Sequence, residues 1–435
     1  MKLISSNKVE ANRYELVVEV EGTVFMNAVN RVYKKEVKNI NIPGFRKGKA
    51  PRAVIEKMYG VGVFYEDAIR DLYPMAVTFG ANEAGLNMIR DVPDIDVEKA
   101  DKDGLVLKMK VTVEPEEVNI EGYKGIEFVP MSTEVTDEDI ESEINRVRQR
   151  NSRLVEVTDR PAQKDDTVTI DFKGMVDGKA FDGGTASDYN LTLGSGAFIP
   201  GFEDAVIGHS VDEEFTIDVT FPENYQVDEL KNKPAQFEIK LHKIQAREMP
   251  EFNEEFVKDV SEFDTIDEYK ADLKEKIAED KKKSYENDKE RQVADKLAEL
   301  IQAEIPEAMY ENQVDNIVDE FAMNLRMQGM DMKTYMQYTG LTEEVLHDTY
   351  YDQAVSQVKV RLALKKIAEL ENLGVTDEEI ENKYDELAKA YKVEIEKVKG
   401  AFSAKDIKSD IEVAKALEFV KEAAVAAEKK EETAE

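Results

Sequence analysis

From Met249 to the C-terminus the chain carries two prolines, Pro250 and Pro306, and this scarcity of breakers constrains its fold more than any other feature. Acidic and basic residues alternate with apolar ones through 266–303, 307–328, 342–373 and 376–391. Proline inside a helix removes a backbone hydrogen bond and clashes with the preceding turn, so long stretches of this pattern without it predict long helices. Their heavy charge predicts extended arms rather than one rounded core. Charged residues make up 35% of the chain, against a usual quarter, which again points to solvated helices. The closing segment Glu428–Glu435 is too polar to bury itself and is expected to be disordered.

The first 248 residues differ in texture. Residues 13–20 are β-branched and partly alternating, a strand, and 105–113 form another. Between them, 23–38 and 64–86 have helical spacing, with a break at Asn41–Gly48 and Pro51 placed to open a further helix. Residues 1–113 thus form one α+β domain. Residues 114–150 are a linker with a helix that starts near Thr136, has an acidic first turn and runs to about Arg153. Residues 151–246 are β-rich, with strands at Thr167–Phe172, Tyr189–Leu193, Glu214–Thr220 and Ala235–Ile244. Turns are expected at Asp177-Gly178, Asp182-Gly183-Gly184 and Gly194-Ser195-Gly196, and one short helix near Gly201–Ile207. Residues 247–435 form the helical part. At 435 residues, two to four domains are expected, and the fold class is multidomain α+β.

Charge is uneven. The whole chain carries −34, yet residues 31–57 hold nine basic residues (Arg31, Lys34, Lys35, Lys38, Arg46, Lys47, Lys49, Arg52, Lys57) against Glu36 and Glu56, a net of +7. The core of this island is Gly44-Phe45-Arg46-Lys47-Gly48-Lys49-Ala50-Pro51, on a loop between two helices. A basic island on an acidic protein fits a docking site for a polyanion; a solvated basic turn is the plainer alternative.

Several functions are excluded or disfavoured. There is no cysteine, so disulfides, thiol catalysis and Cys-ligated metals are out, and a reducing cytosol fits. No apolar leader and no run of about 18 apolar residues occur, so neither secretion nor a membrane helix is expected. The net charge disfavours DNA or RNA binding by the body of the protein. His209, His242 and His347 show no pairing at metal-ligand spacing, and no Walker loop is present. Gly60-Val61-Gly62 lacks the third glycine of a dinucleotide site. No cofactor or metal is expected.

The loop string resembles the Gly-Phe-Arg-x-Gly-Lys-x-Pro signature of the trigger factor family of ribosome-associated chaperones. That resemblance implies docking on the large ribosomal subunit at the tunnel exit. Phe45, Arg46, Lys47 and Lys49 would meet acidic ribosomal side chains or RNA phosphates, with Gly44 and Gly48 shaping the loop. It further implies an ATP-independent cytoplasmic chaperone that binds unfolded and nascent polypeptides, a linker helix packed on the helical body, and a homodimer off the ribosome. Within 168–202, the strings Val-Thr-Ile-Asp-Phe-Lys-Gly, Asp-Gly-Lys-Ala-Phe-Asp and Leu-Gly-Ser-Gly-Ala-Phe-Ile-Pro-Gly-Phe resemble the FKBP-type peptidyl-prolyl isomerases. The pocket this implies is lined by Phe172, Phe181, Tyr189, Phe198, Ile199, Phe202, Tyr225 and Phe237, with Asp182 as its polar side chain. Phe202 stands where many isolated FKBP domains have tryptophan, so a shallower, more permissive pocket is expected.

Two rival readings use the same residues: a free isomerase and holdase that never meets the ribosome, and a helical scaffold with an inactive FKBP-like head. The aromatics could be simple core. So could the methionines at 309, 323, 327, 330, 332 and 336, which otherwise offer an adaptable apolar surface to clients.

Overall fold

Alternation in Arg13–Glu21 sends Leu16, Val18 and Val20 to one face, where all three are buried. In the computed structural model, which describes residues 1–225 and 227–427 apart from the side chains of Asp182 and Asp228, that face is the floor of the first domain. The strand lies in a four-stranded antiparallel sheet ordered Lys2–Glu10, Arg13–Glu21, Gly104–Thr112, Asp94–Asp101. Gly104–Thr112 adds Leu105, Leu107, Met109 and Val111 to the same layer. Helices Gly22–Glu36 and Tyr65–Glu83 cover it with Phe25, Ala28, Val29 and Val32, and with Ala68, Leu72, Ala76 and Val77. These spacings of three and four residues put each set on one helix face. Gly80 lets the second helix approach the sheet: a Cβ there would stand 2.9 Å from Val18 Cγ2. Both outer strands were absent from the sequence expectations. They are mostly exposed and polar, and their strand state comes from pairing with inner neighbours.

The chain divides into two compact units, residues 1–131 with 286–435, and residues 132–285. In the first, Glu307–Met327 and Glu343–Leu370 meet at Val314, Ile317 and Ala354. A second cluster joins Val293 and Leu297 to Ala363, Leu364, Ile367, Ala416 and Val420. A third, around Tyr384, Val398 and Ile407, holds Asp377–Tyr391, Ile395–Ala401 and Ala404–Ala423 together. The helical region is thus stitched by narrow seams rather than one broad core. Two short strand pairs clip the linker to it: Val118–Asn119 with Gln302–Ala303, and Glu127–Phe128 with Val425–Ala426. The expected acidic tail 428–435 lies outside the described residues.

In the second unit, Thr136 caps helix Asp137–Arg150 in a reciprocal capping box with Asp139. The helix ends at Arg150, short of the expected Arg153, because Arg153–Glu156 is drawn into a strand against Gln245–Glu248. Ile140 and Ile144 pack on Val257, Tyr269 and Leu273. The sheet runs Glu214–Thr220, Pro234–Glu248, Thr167–Val176, Lys179–Thr192, with Arg153–Glu156 also on Pro234–Glu248. Asp177 and Gly178, at φ +51° and +73°, make the two-residue hairpin turn that their dipeptide favours. The turn expected at 182–184 is instead a bulge inside Lys179–Thr192. Pairing jumps from Lys173↔Thr185 to Met175↔Ala180, leaving four residues opposite Gly174.

Candidate functional sites

The central strand Thr167–Val176 carries Phe172 into a basin of aromatic rings. Phe172 lies 5.3 Å from Phe198, 5.9 Å from Tyr189, 6.1 Å from Phe202 and 6.2 Å from Phe237, centroid to centroid. Phe198 stacks obliquely on Phe202 at 4.4 Å, and Phe181 meets Phe237 at 6.1 Å. Most of these pairs are edge-to-face, the arrangement ring quadrupoles favour. Burial sorts the rings. Phe202 is fully buried, with Phe172 and Phe237 nearly so, and these three form the floor. Phe181, Phe198, Ile199 and Tyr225 are half-buried, and Tyr189 is 40% exposed. A peptide entering the basin can touch this second set; the first supports it from below.

The structure therefore brings together Phe172, Phe181, Tyr189, Phe198, Ile199, Phe202, Tyr225 and Phe237 in one cluster. Tyr225 joins through Phe221, 4.7 Å away, which itself lies 5.6 Å from Phe181. Phe221 was not among the residues expected from the sequence; its only signal is its place in Thr220-Phe221-Pro222, just past a strand. The side chain of Asp182 lies outside the described residues. Gly174 makes room for the floor. A Cβ there would stand 2.5 Å from Phe237 and 2.8 Å from Phe181. Gly174→Ala is expected to lower the domain's stability by about 1–3 kcal/mol through overpacking. Isomerase activity followed through a urea series checks this, and an unshifted midpoint would show that the rings have room to move.

A second residue missed from sequence organises the rim. Glu203 is buried, and its carboxylate accepts hydrogen bonds from the backbone N–H groups of Gly194 (2.7 Å), Gly196 (3.1 Å) and Phe198 (3.1 Å) and from Ser195 Oγ (3.2 Å). The loop that presents Phe198 is thus wrapped around one anion. Burial raises the Glu203 pKa, but the N–H donors of Gly196, Phe198 and Gly194 outweigh it and hold the carboxyl below its ordinary value. A lowered folded-state pKa means the carboxylate stabilises the loop fully at neutral pH. That contribution is lost as pH falls through the lowered value. Glu203→Ala leaves three N–H groups without their acceptor, a cost of about 1–3 kcal/mol. Amide exchange at 194–198 should accelerate, while amides of the strand Pro234–Glu248 keep their protection. Glu203→Gln, with one carbonyl oxygen, should fall between. Unchanged exchange in Glu203→Ala would remove the positioning role.

In the first unit, the basic loop hangs between two buried anchors, Ile42 and Ala50. Tyr33 Oη donates to the Ala50 carbonyl at 3.0 Å and ties the loop to its preceding helix. Within it, Phe45 N–H donates to Ile42 O and Lys49 N–H to Arg46 O, two successive turns. Gly44 and Gly48 take φ +88° and +76°, a region that disfavours side chains. Gly48 has a second reason: a Cβ would stand 3.3 Å from Lys38 Cα. Phe45 is 41% exposed, and Arg46, Lys47 and Lys49 point into solvent. Among the described residues no carboxylate pairs with Arg46, Lys47 or Lys49; of the nine cations in 31–57, Arg52 is the one held in an ion pair, to Glu56 at 2.5 Å. The helix that follows, Arg52–Tyr59, exposes Met58 and Tyr59, and Val61 follows them. This apolar group was also not anticipated.

Among the methionines that left two readings open, Met323, Met327 and Met330 are exposed, as is Tyr338. Met323 and Met327 lie near the end of Glu307–Met327, and Met330 precedes Met332–Thr339, which carries Tyr338; Phe321 and Tyr335 join these two helices at 5.2 Å. These three methionines are not core.

Comparison with known proteins fits this layout. The family model described as bacterial trigger factor protein matches residues 1–147, and that of its C-terminus matches 265–422. The trigger factor of Halalkalibacterium halodurans is 40% identical over 421 residues, covering 95% of this chain and 97% of its own. The chain belongs to the trigger factor family. The trigger factor of Shouchella clausii is 41% identical over 95% of this chain and 96% of its own. A solved structure of a trigger factor chaperone aligns over 97% of this chain and 99% of its own, at 21% identity and a TM-score of 0.43. The model described as FKBP-type peptidyl-prolyl cis-trans isomerase matches 158–242, so the aromatic basin and Glu203 belong to the FKBP-type isomerase domain of this chain. No helix among the described residues is long and apolar enough to cross a membrane.

Proposed function

We propose that this chain docks through Gly44–Lys49 on the large ribosomal subunit at the tunnel exit, binds nascent and unfolded polypeptides without ATP, and isomerises their X–Pro bonds. The observation that carries the isomerase reading is the basin itself: three buried rings under a half-exposed rim of Phe181, Tyr189, Phe198, Ile199 and Tyr225. Rotation about an X–Pro bond crosses a barrier of about 20 kcal/mol and takes tens of seconds unaided. In the twisted state the amide loses resonance and its carbonyl becomes less polar. An apolar surface favours that state over the planar ones, so binding energy is spent where it lowers the barrier. Phe198, Tyr189, Phe181, Ile199 and Tyr225 would contact the proline and its neighbours, with Phe172, Phe202 and Phe237 beneath. Asp182 enters as the polar partner through the family resemblance alone.

Docking is supported by Arg46, Lys47 and Lys49, which pair with no carboxylate among the described residues, beside exposed Phe45. Long-range attraction to RNA phosphates or acidic ribosomal side chains would bring the loop in, and the ring would add apolar contact. The exposed methionines and Tyr338 suit clients of varied shape, since an unbranched thioether adapts to irregular apolar surfaces. A cytoplasmic location and a homodimer off the ribosome are part of the same reading. Sedimentation with salt-washed ribosomes, beside a loop variant, tests docking. Acceleration of proline-limited refolding tests isomerisation, and absence of acceleration would leave a scaffold with an inactive head.

A further inference from the structure

The sheet of the second unit brings together three side chains that lie far apart in sequence: Asp171, Asp188 and His242. One ligand atom from each lies within 4.8 Å of the others. Asp171 sits on the central strand Thr167–Val176, and the other two come from the strands on either side. Both flanking strands are bulged at this level. On one side pairing passes from Ile170↔Tyr189 to Phe172↔Ala186, which leaves Ser187 and Asp188 opposite Asp171. On the other it passes from Leu241↔Ile170 to Lys243↔Thr169, which leaves His242 as the extra residue. Bulges re-aim side chains, and here two of them converge on one carboxylate.

The atoms at this meeting point are suited to a cation. Asp188 N–H donates to Asp171 Oδ1 at 2.8 Å and holds that carboxylate in place. His242 Nε2 lies 2.8 Å from Asp171 Oδ2, yet it is sealed from solvent and its direction does not make a hydrogen bond. A ring nitrogen and a carboxylate oxygen this close, without a well-directed hydrogen bond between them, are two donor atoms that one ion can share. The nearby cation Lys240 is already paired with Glu214 at 2.8 Å. Ligands about 2.0–2.2 Å from a common ion lie roughly 3–4 Å from one another. The observed separations, 2.8 Å between His242 Nε2 and Asp171 Oδ2 and no more than 4.8 Å across the set, bracket that range. An imidazole nitrogen favours borderline transition ions over Mg2+ and Ca2+, which prefer oxygen alone.

We propose that Asp171, Asp188 and His242 bind one divalent first-row transition ion, with Zn2+ the best fit and water completing its shell. Asp171 and Asp188 directly precede Phe172 and Tyr189 of the basin. A bound ion would therefore tie three strands together at the level of those two rings.

The test is titration of the chelator-treated full chain with Zn2+ in millimolar Mg2+, which occupies dispersed surface carboxylates. One Zn2+ per chain is expected, with affinity reduced about tenfold or more in both His242→Ala and Asp188→Asn. Co2+ should give visible d–d bands that His242→Ala abolishes. In the unmutated chain, Zn2+ should move the imidazole 15N resonances of His242 and leave those of His209 and His347. Circular dichroism establishes that each variant folds; where one does not, the other variant and the resonances decide. Equal Zn2+ affinity in all three proteins, or unmoved His242 resonances, overturns the proposal. No isomerase assay enters, so that failure leaves the isomerase reading untouched.

Discussion

Replacing Phe45, Arg46 and Lys47 together with alanine is expected to abolish co-sedimentation with salt-washed ribosomes, while turnover of a proline-containing peptide stays unchanged. Burying a phenylalanine at an interface is worth about 1.5–3 kcal/mol. Each rim cation adds about 0.2–1 kcal/mol. Together the three side chains supply about 2–5 kcal/mol, which corresponds to roughly 30- to 5,000-fold in affinity. The loop makes the test clean. Its anchors are Ile42, Ala50 and the Tyr33–Ala50 hydrogen bond, none of which the substitutions touch. No intramolecular ion pair of Arg46 or Lys47 exists among the described residues to be lost with them. Binding by the unaltered chain should also weaken as salt rises, because exposed charges are screened beyond about 8–10 Å at physiological ionic strength. Equal sedimentation of variant and wild type would move docking elsewhere and favour the free isomerase-chaperone.

Phe198→Ala is expected to lower kcat/KM on the same peptide by roughly 10- to 50-fold, about 1.4–2.3 kcal/mol of barrier. Among the rings of the basin, Phe198 combines contact with both layers. It meets floor residues Phe172 and Phe202 at 5.3 and 4.4 Å, and rim residue Tyr189 at 5.5 Å. It is half-buried, so a substrate can reach it, as none can reach Phe202. Truncation removes apolar surface from beside the twisted amide without emptying the deep core. A near-normal rate in a folded Phe198→Ala chain would place the pocket elsewhere.

Much of the architecture was legible because it rests on local physics. Thr136 with Asp139, and Asp177 with Gly178, are short-range signals whose hydrogen bonds or backbone angles close within four residues. Breaker-poor charged stretches beyond Met249 became helices over Ile266–Leu300, Glu307–Met327, Glu343–Leu370 and Asp377–Tyr391. Where local and long-range terms disagreed, sequence reading failed. Asp182-Gly183-Gly184 has the composition of a turn, but the neighbouring strand pairs on both sides of it, and the segment became a bulge. Lys2–Glu10 and Asp94–Asp101 have the composition of loops, yet each is held as a strand by its partner.

The sequence alone determined the order of the parts and the basic loop, since each is written in contiguous residues whose chemistry does not depend on distant neighbours; the set of rings came from the resemblance to FKBP-type isomerases, because its members are scattered from Phe172 to Phe237. Which rings form floor and which form rim was decided only in three dimensions, because burial depends on what the rest of the sheet lays over each one. The same holds for Glu203, whose role exists only once the loop 194–198 folds back onto its carboxylate. It holds most of all for Asp171, Asp188 and His242. Nothing in their spacing along the chain marks them as partners; two bulges in neighbouring strands bring their side chains to one point.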